Sequence, residues 1–302
     1  MASRRFFTLD VFTDTPLAGN PLAVVLDSNG LDDARMQAIA AEFNLSETVF
    51  VLDPRNPINT ARLRIFTPGR ELPFAGHPTV GAAALVAHLR EPQLLETQDL
   101  RVVLEEGVGD IVCRVRHRDG RTLAADFDLP KLPERLPDPP PAWVAEIAAG
   151  VGLTEADIGF GRHEPSLFSA GLPYLFVPVR SLAAVGRARP KDMFWNADGG
   201  PATFLYTSET VEPDSAYHAR VFAGGWGVVE DPATGSAAAA FAGAILDYDA
   251  PSEGEHVLVI EQGFEMGRPS RIALGLEVEG GSLRAASIGG PAVIVSSGAL
   301  EL

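Results

Sequence analysis

Apolar and polar positions alternate along much of the 302-residue chain, and the alternation predicts a strand-rich molecule with few helices. Alternating or β-branched runs lie at 22–26 (LAVVL), 48–52 (TVFVL), 62–66 (RLRIF), 110–115 (DIVCRV), 174–179 (YLFVPV), 256–260 (HVLVI), 271–279 (RIALGLEVE) and 292–296 (AVIVS). Several of these have the period of half-buried strands. Helical periodicity is confined to 32–43 (DDARMQAIAAEF) and 141–150 (PAWVAEIAAG). Two other segments follow neither rule: PTVGAAALVAHL from Pro78 is nearly apolar on every side, and PATGSAAAAFAGAIL from Pro232 has no charged residue at all. A helix of that kind has to be buried all round, and its Ala and Gly positions let strands come close. The pattern predicts a small-residue helix threaded through a curled sheet.

The arrangement occurs twice. AGNPLAVVL (18–26) matches AGLPYLFVP (170–178), RIF (64–66) matches RVF (220–222), and GHPTVGAAA (76–84) matches EDPATGSAAAA (230–240). Gly19/Gly171, Arg64/Arg220 and His77/Asp231 are 152, 156 and 154 residues apart, a drift small enough for loop insertions. The chain therefore reads as two copies of one α/β unit. LPKLPERLPDPPPAW (129–143) carries six prolines and reads as an extended crossover between them. The expected subdomains are 1–128, to which a strand at 288–302 returns, and 129–287.

The repeated motif suggests chemistry. Asp231 before Pro232 fits an N-cap followed by proline at the first helical position, and His77–Pro78 has the same layout. Helices begun in this way present free N–H groups and a partial positive charge, which suit a small carboxylate. Asp-Pro is also a common cap with no ligand. A histidine in the matching place has no capping advantage, however, and the His/Asp pair suggests groups aimed at one ligand. Glu47, in NLSETVFV, falls between a helix end and an apolar strand. There it is either a surface glutamate or a partly desolvated carboxyl whose raised pKa suits general acid–base work.

Composition removes several alternatives. With 24 Lys plus Arg against 40 Asp plus Glu, the formal charge of −16 repels phosphate backbones, so nucleic acid is not an expected partner. Cys113 is the only cysteine, which excludes an internal disulfide, a thiolate zinc cluster and any two-thiol mechanism. The two lysines, Lys131 and Lys191, sit in polar proline-containing loops, which argues against a phosphate loop or a lysine-bound pyridoxal group. GWGVVE (225–230) fails as a dinucleotide fingerprint, the six histidines show no metal-ligand spacing, and Ser236 lacks a nucleophile elbow. The longest apolar run, 237–246, is too short to span a bilayer, and the N-terminal residues lack a signal pattern. A cytoplasmic protein without a membrane partner is expected.

Five ordered segments carry a resemblance: DVFTDTPLAGNPLAVVL (10–26), AEFNLSETVFV (41–51), RIFTPGRELPFAGHPTVGAAA (64–84), RVFAGGWGVVEDPATGSAAAA (220–240) and EQGFEMGRPSRI (261–272). Together they resemble the PhzF-like family of phenazine biosynthesis, which has the diaminopimelate-epimerase type of fold. The resemblance implies an α/β (α+β) architecture of two pseudo-symmetric, β-rich subdomains, each a curled, barrel-like sheet around a central apolar helix. It implies an active site in the cleft between them, a homodimer, and no metal or organic cofactor. It makes Glu47 the proton-transfer residue, with His77 and Asp231 lining the site and Gly76, Gly235, Ser236 and Asn20 holding the substrate. Two-base epimerases of this fold carry cysteines at the helix starts; His77 and Asp231 stand there instead, so a two-thiol racemase is excluded. The repeat offers no twin of Glu47, since the residue 17 places before Arg64 is Glu47 but 17 before Arg220 is Thr203. One carboxyl suffices for an isomerisation that removes and returns a proton on one face. The expected activity is thus a cofactor-independent isomerisation of a small carboxylic acid, cyclic by the resemblance. An epimerase or racemase of an amino or hydroxy acid, with His77 or Asp231 as opposing base, and a non-catalytic ligand-binding homologue are the alternatives.

Overall fold

A computed structural model describes residues 3–118, 122–191, 193, 195–196 and 200–302. In chain order the elements are β1 (Ser3–Val11), β2 (Asn20–Val25), α1 (Asp33–Phe43), β3 (Glu47–Leu52), β4 (Ala61–Phe66), β5 (Glu71–Leu72), α2 (Gly76–Arg90), α3 (Pro92–Leu95), β6 (Leu100–Glu106), β7 (Gly109–His117) and β8 (Thr122–Asp128). They continue as β9 (Glu134–Arg135), α4 (Val144–Gly150), β10 (Ser166–Ser169), β11 (Pro173–Pro178), α5 (Leu182–Arg187), β12 (Ala202–Thr207), β13 (Tyr217–Ala223), β14 (Val228–Asp231), α6 (Gly235–Asp249), β15 (Gly254–Gln262), β16 (Ser270–Glu279) and β17 (Ser282–Glu301). The chain divides into two compact units, Met1–Pro130 with Gly289–Leu302, and Lys131–Ile288.

In the first unit the strands close on themselves. β1 pairs with β2, β2 runs parallel to β3, β3 pairs with β4, β4 runs parallel to β6, and β6, β7 and β8 follow as antiparallel neighbours. The C-terminal part of β17 joins β8 to β1 and completes the ring. Closure leaves no free edge in this barrel. α2 fills it, and every residue from Gly76 to Ala87 is buried. Gly81 is the tightest point, because a Cβ there would lie 2.6 Å from Leu22 and 2.8 Å from Val11. α1 packs outside, with Met36, Ile39 and Ala40 against Val25, Phe50 and Phe66. Asp32 caps it by accepting from the Arg35 N–H, and Asn44 ends it in the left-handed conformation.

The second unit repeats this wiring. β10 pairs with β11, β11 runs parallel to β12, β12 pairs with β13, β13 runs parallel to β15, and β15 pairs with β16. β14 is an appendage of β13 as β5 is of β4. α6 packs against β9, β10, β11 and β16, and Gly243 brings it so close to β10 that a Cβ would lie 2.6 Å from Phe168. Phe176, Phe204, Tyr206 and Tyr217 surround Phe241 of this helix, with ring centroids 4.6–5.4 Å away.

Two details differ from the sequence expectation. α2 starts at Gly76 with Ala75 as N-cap, and α6 starts at Gly235 with Thr234 as N-cap, so neither begins at its proline. His77 lies within the first turn of its helix, whereas Asp231 is the last residue of β14 and not a helix cap. The second correction concerns the twin of Glu47. Leu22 faces Glu47 across β2–β3, and the equivalent pair across β11–β12 is Tyr174 with Ala202. Thr48 faces Phe66 as Thr203 faces Phe222. The structural counterpart of Glu47 is therefore Ala202, one residue away from the Thr203 obtained by counting.

Candidate active site

In the first unit, Glu47 opens β3 directly beside β2, and its side chain is 17% exposed. Its Oε2 lies 3.4 Å from Nε2 of the buried His77, the second residue of α2. The imidazole also hydrogen-bonds the backbone of Pro21. Proline has no N–H, so the ring must donate to the Pro21 carbonyl. Since Nε2 makes no hydrogen bond among the described residues, the donor is assigned as Nδ1, with the lone pair on Nε2 facing the carboxyl. Burial drives the imidazole down to about 3, against the Pro21 contact that favours its charged form. His77 is thus neutral at physiological pH, and its approach to Glu47 is not an ion pair. Asn20, fully buried, opens β2 next to Pro21, and Gly76 opens α2 next to His77.

The second unit builds a polar cluster at the start of α6. Thr234 Oγ1 donates to Asp231 Oδ2 at 2.6 Å. Gln262, the last residue of β15, accepts from the Thr234 N–H at 3.1 Å and donates through Nε2 to the Asp231 carbonyl at 2.7 Å. Gly235 and Ser236 follow as the first two residues of α6, and the Ser236 hydroxyl shares a 2.7 Å hydrogen bond with the phenol of the buried Tyr174. Glu47, His77, Gly76 and Asn20 thus come together in one unit, and Asp231, Gly235 and Ser236 in the other. Sequence reading missed Thr234, Gln262 and Tyr174. The available signal was the repeat: Tyr174 takes the place of Leu22, a phenol where the first copy has an aliphatic chain.

Both clusters rest on duplicated supports. Arg64 grips Glu71 bidentately at 2.7 and 2.6 Å, and Arg220 grips Glu230 at 2.8 and 2.8 Å. Each guanidinium also lies over the phenylalanine two residues on, 5.1 Å from Phe66 and 4.9 Å from Phe222. This ties the appended strand to the strand that bears the RIF or RVF motif. Glu105 accepts from the Arg55 and Asn56 N–H groups as Glu261 does from those of Val211 and Glu212, at 2.6–3.0 Å. Among the described residues, no group of three or more His, Cys, Asp or Glu side chains is placed to hold a metal ion.

Comparison with known proteins agrees with this architecture. The family model described as phenazine biosynthesis-like protein matches residues 9–298. An uncharacterized isomerase of Mesorhizobium japonicum is 51% identical, with 99% of each chain covered. The trans-2,3-dihydro-3-hydroxyanthranilate isomerase of Pseudomonas chlororaphis is 32% identical over 98% of this chain and 99% of its own. The solved structure of a predicted epimerase from Pseudomonas aeruginosa is 34% identical and superposes with a TM-score of 0.81 over 99% of both chains. The duplicated unit, each copy built around an apolar helix, and similarity over the full length lead to one assignment: the chain belongs to the phenazine biosynthesis-like, PhzF-type family and is an isomerase.

Proposed function

We propose that the protein isomerises a small carboxylic acid by proton transfer through Glu47 alone, without a second base and without an organic cofactor or metal. The observation that carries this reading is the asymmetry of the duplicated site, which has Glu47 in one copy and Ala202 in the structurally equivalent place of the other. Glu47 takes a proton from carbon and returns it to another carbon on the same face, as one correctly placed carboxyl can do. Neutral His77, whose Nε2 lies 3.4 Å from Oε2 of Glu47, faces the carboxyl and orients it. Asp231 and the hydroxyl of Ser236, with the N–H groups at Gly235 and Gly76, bind the substrate's polar groups. Asn20 supports this arrangement from β2.

The substrate class is set by chemistry on both sides of the transfer. It needs an acidic C–H, an acceptor double bond, and a carboxylate that helix-start N–H groups can bind. Trans-2,3-dihydro-3-hydroxyanthranilate, named for relatives, has all three and is the first compound to test. Incubation with it and with a panel of amino, hydroxy and cyclic carboxylates in D2O separates the readings. Deuterium incorporation with double-bond migration is expected. Incorporation with inversion at one stereocentre would instead make the protein an epimerase using Asp231 as opposing base, and binding without exchange would make it a ligand-binding homologue.

A further inference from the structure

Glu106, the last residue of β6, lies outside the groups used above, yet it touches the helix turn that carries His77. Its Oε1 is 2.8 Å from the Thr79 hydroxyl, and that hydroxyl is also 2.8 Å from the Ala75 carbonyl. A hydroxyl has one hydrogen and can donate it only once. If Thr79 donates to the Ala75 carbonyl, the contact with Glu106 is favourable only when Glu106 is the donor, since two oxygens that close with no hydrogen between them repel. The second unit shows the same polarity with different chemistry. There Thr234 donates its hydroxyl hydrogen to Asp231, and Gln262, the last residue of β15, donates to the Thr234 hydroxyl at 3.1 Å. Gln262 can serve only as a neutral donor and acceptor, and Glu106 fills the equivalent role in the first unit.

We propose that Glu106 is a positioning residue, held as a neutral carboxylic acid that donates to Thr79 and thereby fixes the first turn of α2 and the imidazole facing Glu47. The inference rests on the proton-transfer role given to Glu47 and His77. Its surroundings agree with it. Burial pushes the Glu106 carboxyl up to about 8, opposed by the Thr79 hydroxyl contact, and its Oε2 is enclosed with no hydrogen-bond partner among the described residues. The titratable neighbour on β7 is the buried thiol of Cys113, held in its neutral form chiefly by burial and further by the charge of Asp126 on β8. Asp126 is itself engaged by Arg114 and Arg116. With Arg114 and Arg116 committed to Asp126, no cation among the described residues acts on the Glu106 carboxyl.

Folding then binds a proton that the unfolded chain releases above about pH 4.5, so this contribution to stability declines as pH rises towards 8. The test is urea unfolding of the full chain at pH 5–9, comparing wild type with Glu106→Gln and Glu106→Ala. Glu106→Gln keeps the shape and the donor. Relative to it, the wild-type unfolding constant should rise about tenfold per pH unit between pH 5 and 8, the slope expected for one proton. Two-dimensional NMR of the His77 ring should show unchanged shifts in Glu106→Gln and displaced shifts in Glu106→Ala. Neither readout needs a substrate, so failure of the Glu47 reading leaves this test intact. Parallel pH profiles for wild type and Glu106→Gln, or His77 shifts equally displaced in both variants, would overturn the proposal. Where exchange activity is found, Glu106→Gln should retain it at pH 9 while wild type loses about tenfold; loss in Glu106→Gln at every pH would also overturn it.

Discussion

At the scale of single residues, the most consequential feature is a neutral imidazole next to a carboxyl. The Pro21 carbonyl determines which nitrogen of His77 carries the hydrogen, and burial keeps the ring uncharged. Nitrogen-detected NMR at pH 6–8 should therefore find His77 as the Nδ1–H tautomer, and an imidazolium signal would contradict the assignment. The sign for stability follows from the same numbers. The folded value of about 3 lies below the ordinary 6.5, so the contribution is complete above pH 6.5 and is lost as pH falls through 3. Its ceiling is roughly 5 kcal/mol at about 1.4 kcal/mol per pH unit, and His77→Asn should flatten that part of the acid denaturation curve. The twin arginines make a second residue-scale case. Arg220 is only 3% exposed and Arg64 21%, and Arg64 has Asp33 as a second carboxylate partner. Removing Glu230 leaves the buried Arg220 cation with Glu265 only at 4.0 Å and the Val185 and Ala188 carbonyls, which costs about 3 kcal/mol or more. Glu71→Ala should cost about 1 kcal/mol or less. Equal losses in chemical denaturation would show that burial does not govern the pair.

At the scale of elements, the two apolar helices illustrate what the sequence could reveal. Their burial was legible because no face of PATGSAAAAFAGAIL offers charge to water, the strands at 62–66 and 271–279 were legible from alternation, and that at 22–26 from its continuous β-branched apolar run. The helix starts were not. A proline after an Asp or His imitates a first-turn signal, while the actual starts depend on tertiary contacts: the Pro21 carbonyl draws His77 into the first turn of α2, and Gln262 holds 231–234 as a strand end and turn. Close packing at Gly81 and Gly243 yields a prediction at this scale. Alanine at either position gains helix propensity of about 1 kcal/mol but forces a Cβ to within 2.6 Å of Leu22 or Phe168. Overpacking of that kind costs about 1–3 kcal/mol. Gly186 in α5 has nothing within 4 Å of its Cβ position, so Gly186→Ala should be neutral or stabilising while Gly81→Ala and Gly243→Ala lower the unfolding midpoint. The reverse order would contradict the packing described.

At the scale of the whole molecule, duplication is the organising fact, and function comes from where the copies diverge. The wiring of the strands, the bidentate Arg–Glu grip and the glutamate that collects two loop N–H groups are the same in both units. The residue proposed to handle the proton is not. The three matching motifs made the duplication readable, and lack of a second glutamate could be read by counting, but the true counterpart, Ala202, needed the strand register. Tyr174 and Gln262 were hidden because a tyrosine in a strand and a glutamine at a strand end look like ordinary sheet residues until their partners are known. Among the described residues no helix is long and apolar enough to cross a membrane. The central claim is that a single carboxyl moves the proton, and the most direct measurement is the rate of solvent deuterium incorporation into a turned-over carboxylate, compared between wild type and Glu47→Gln. Removing the only proton carrier should slow incorporation by at least about 100-fold, while the ligand still raises the melting temperature of the variant. Incorporation at a rate near that of wild type in Glu47→Gln would show that another group moves the proton.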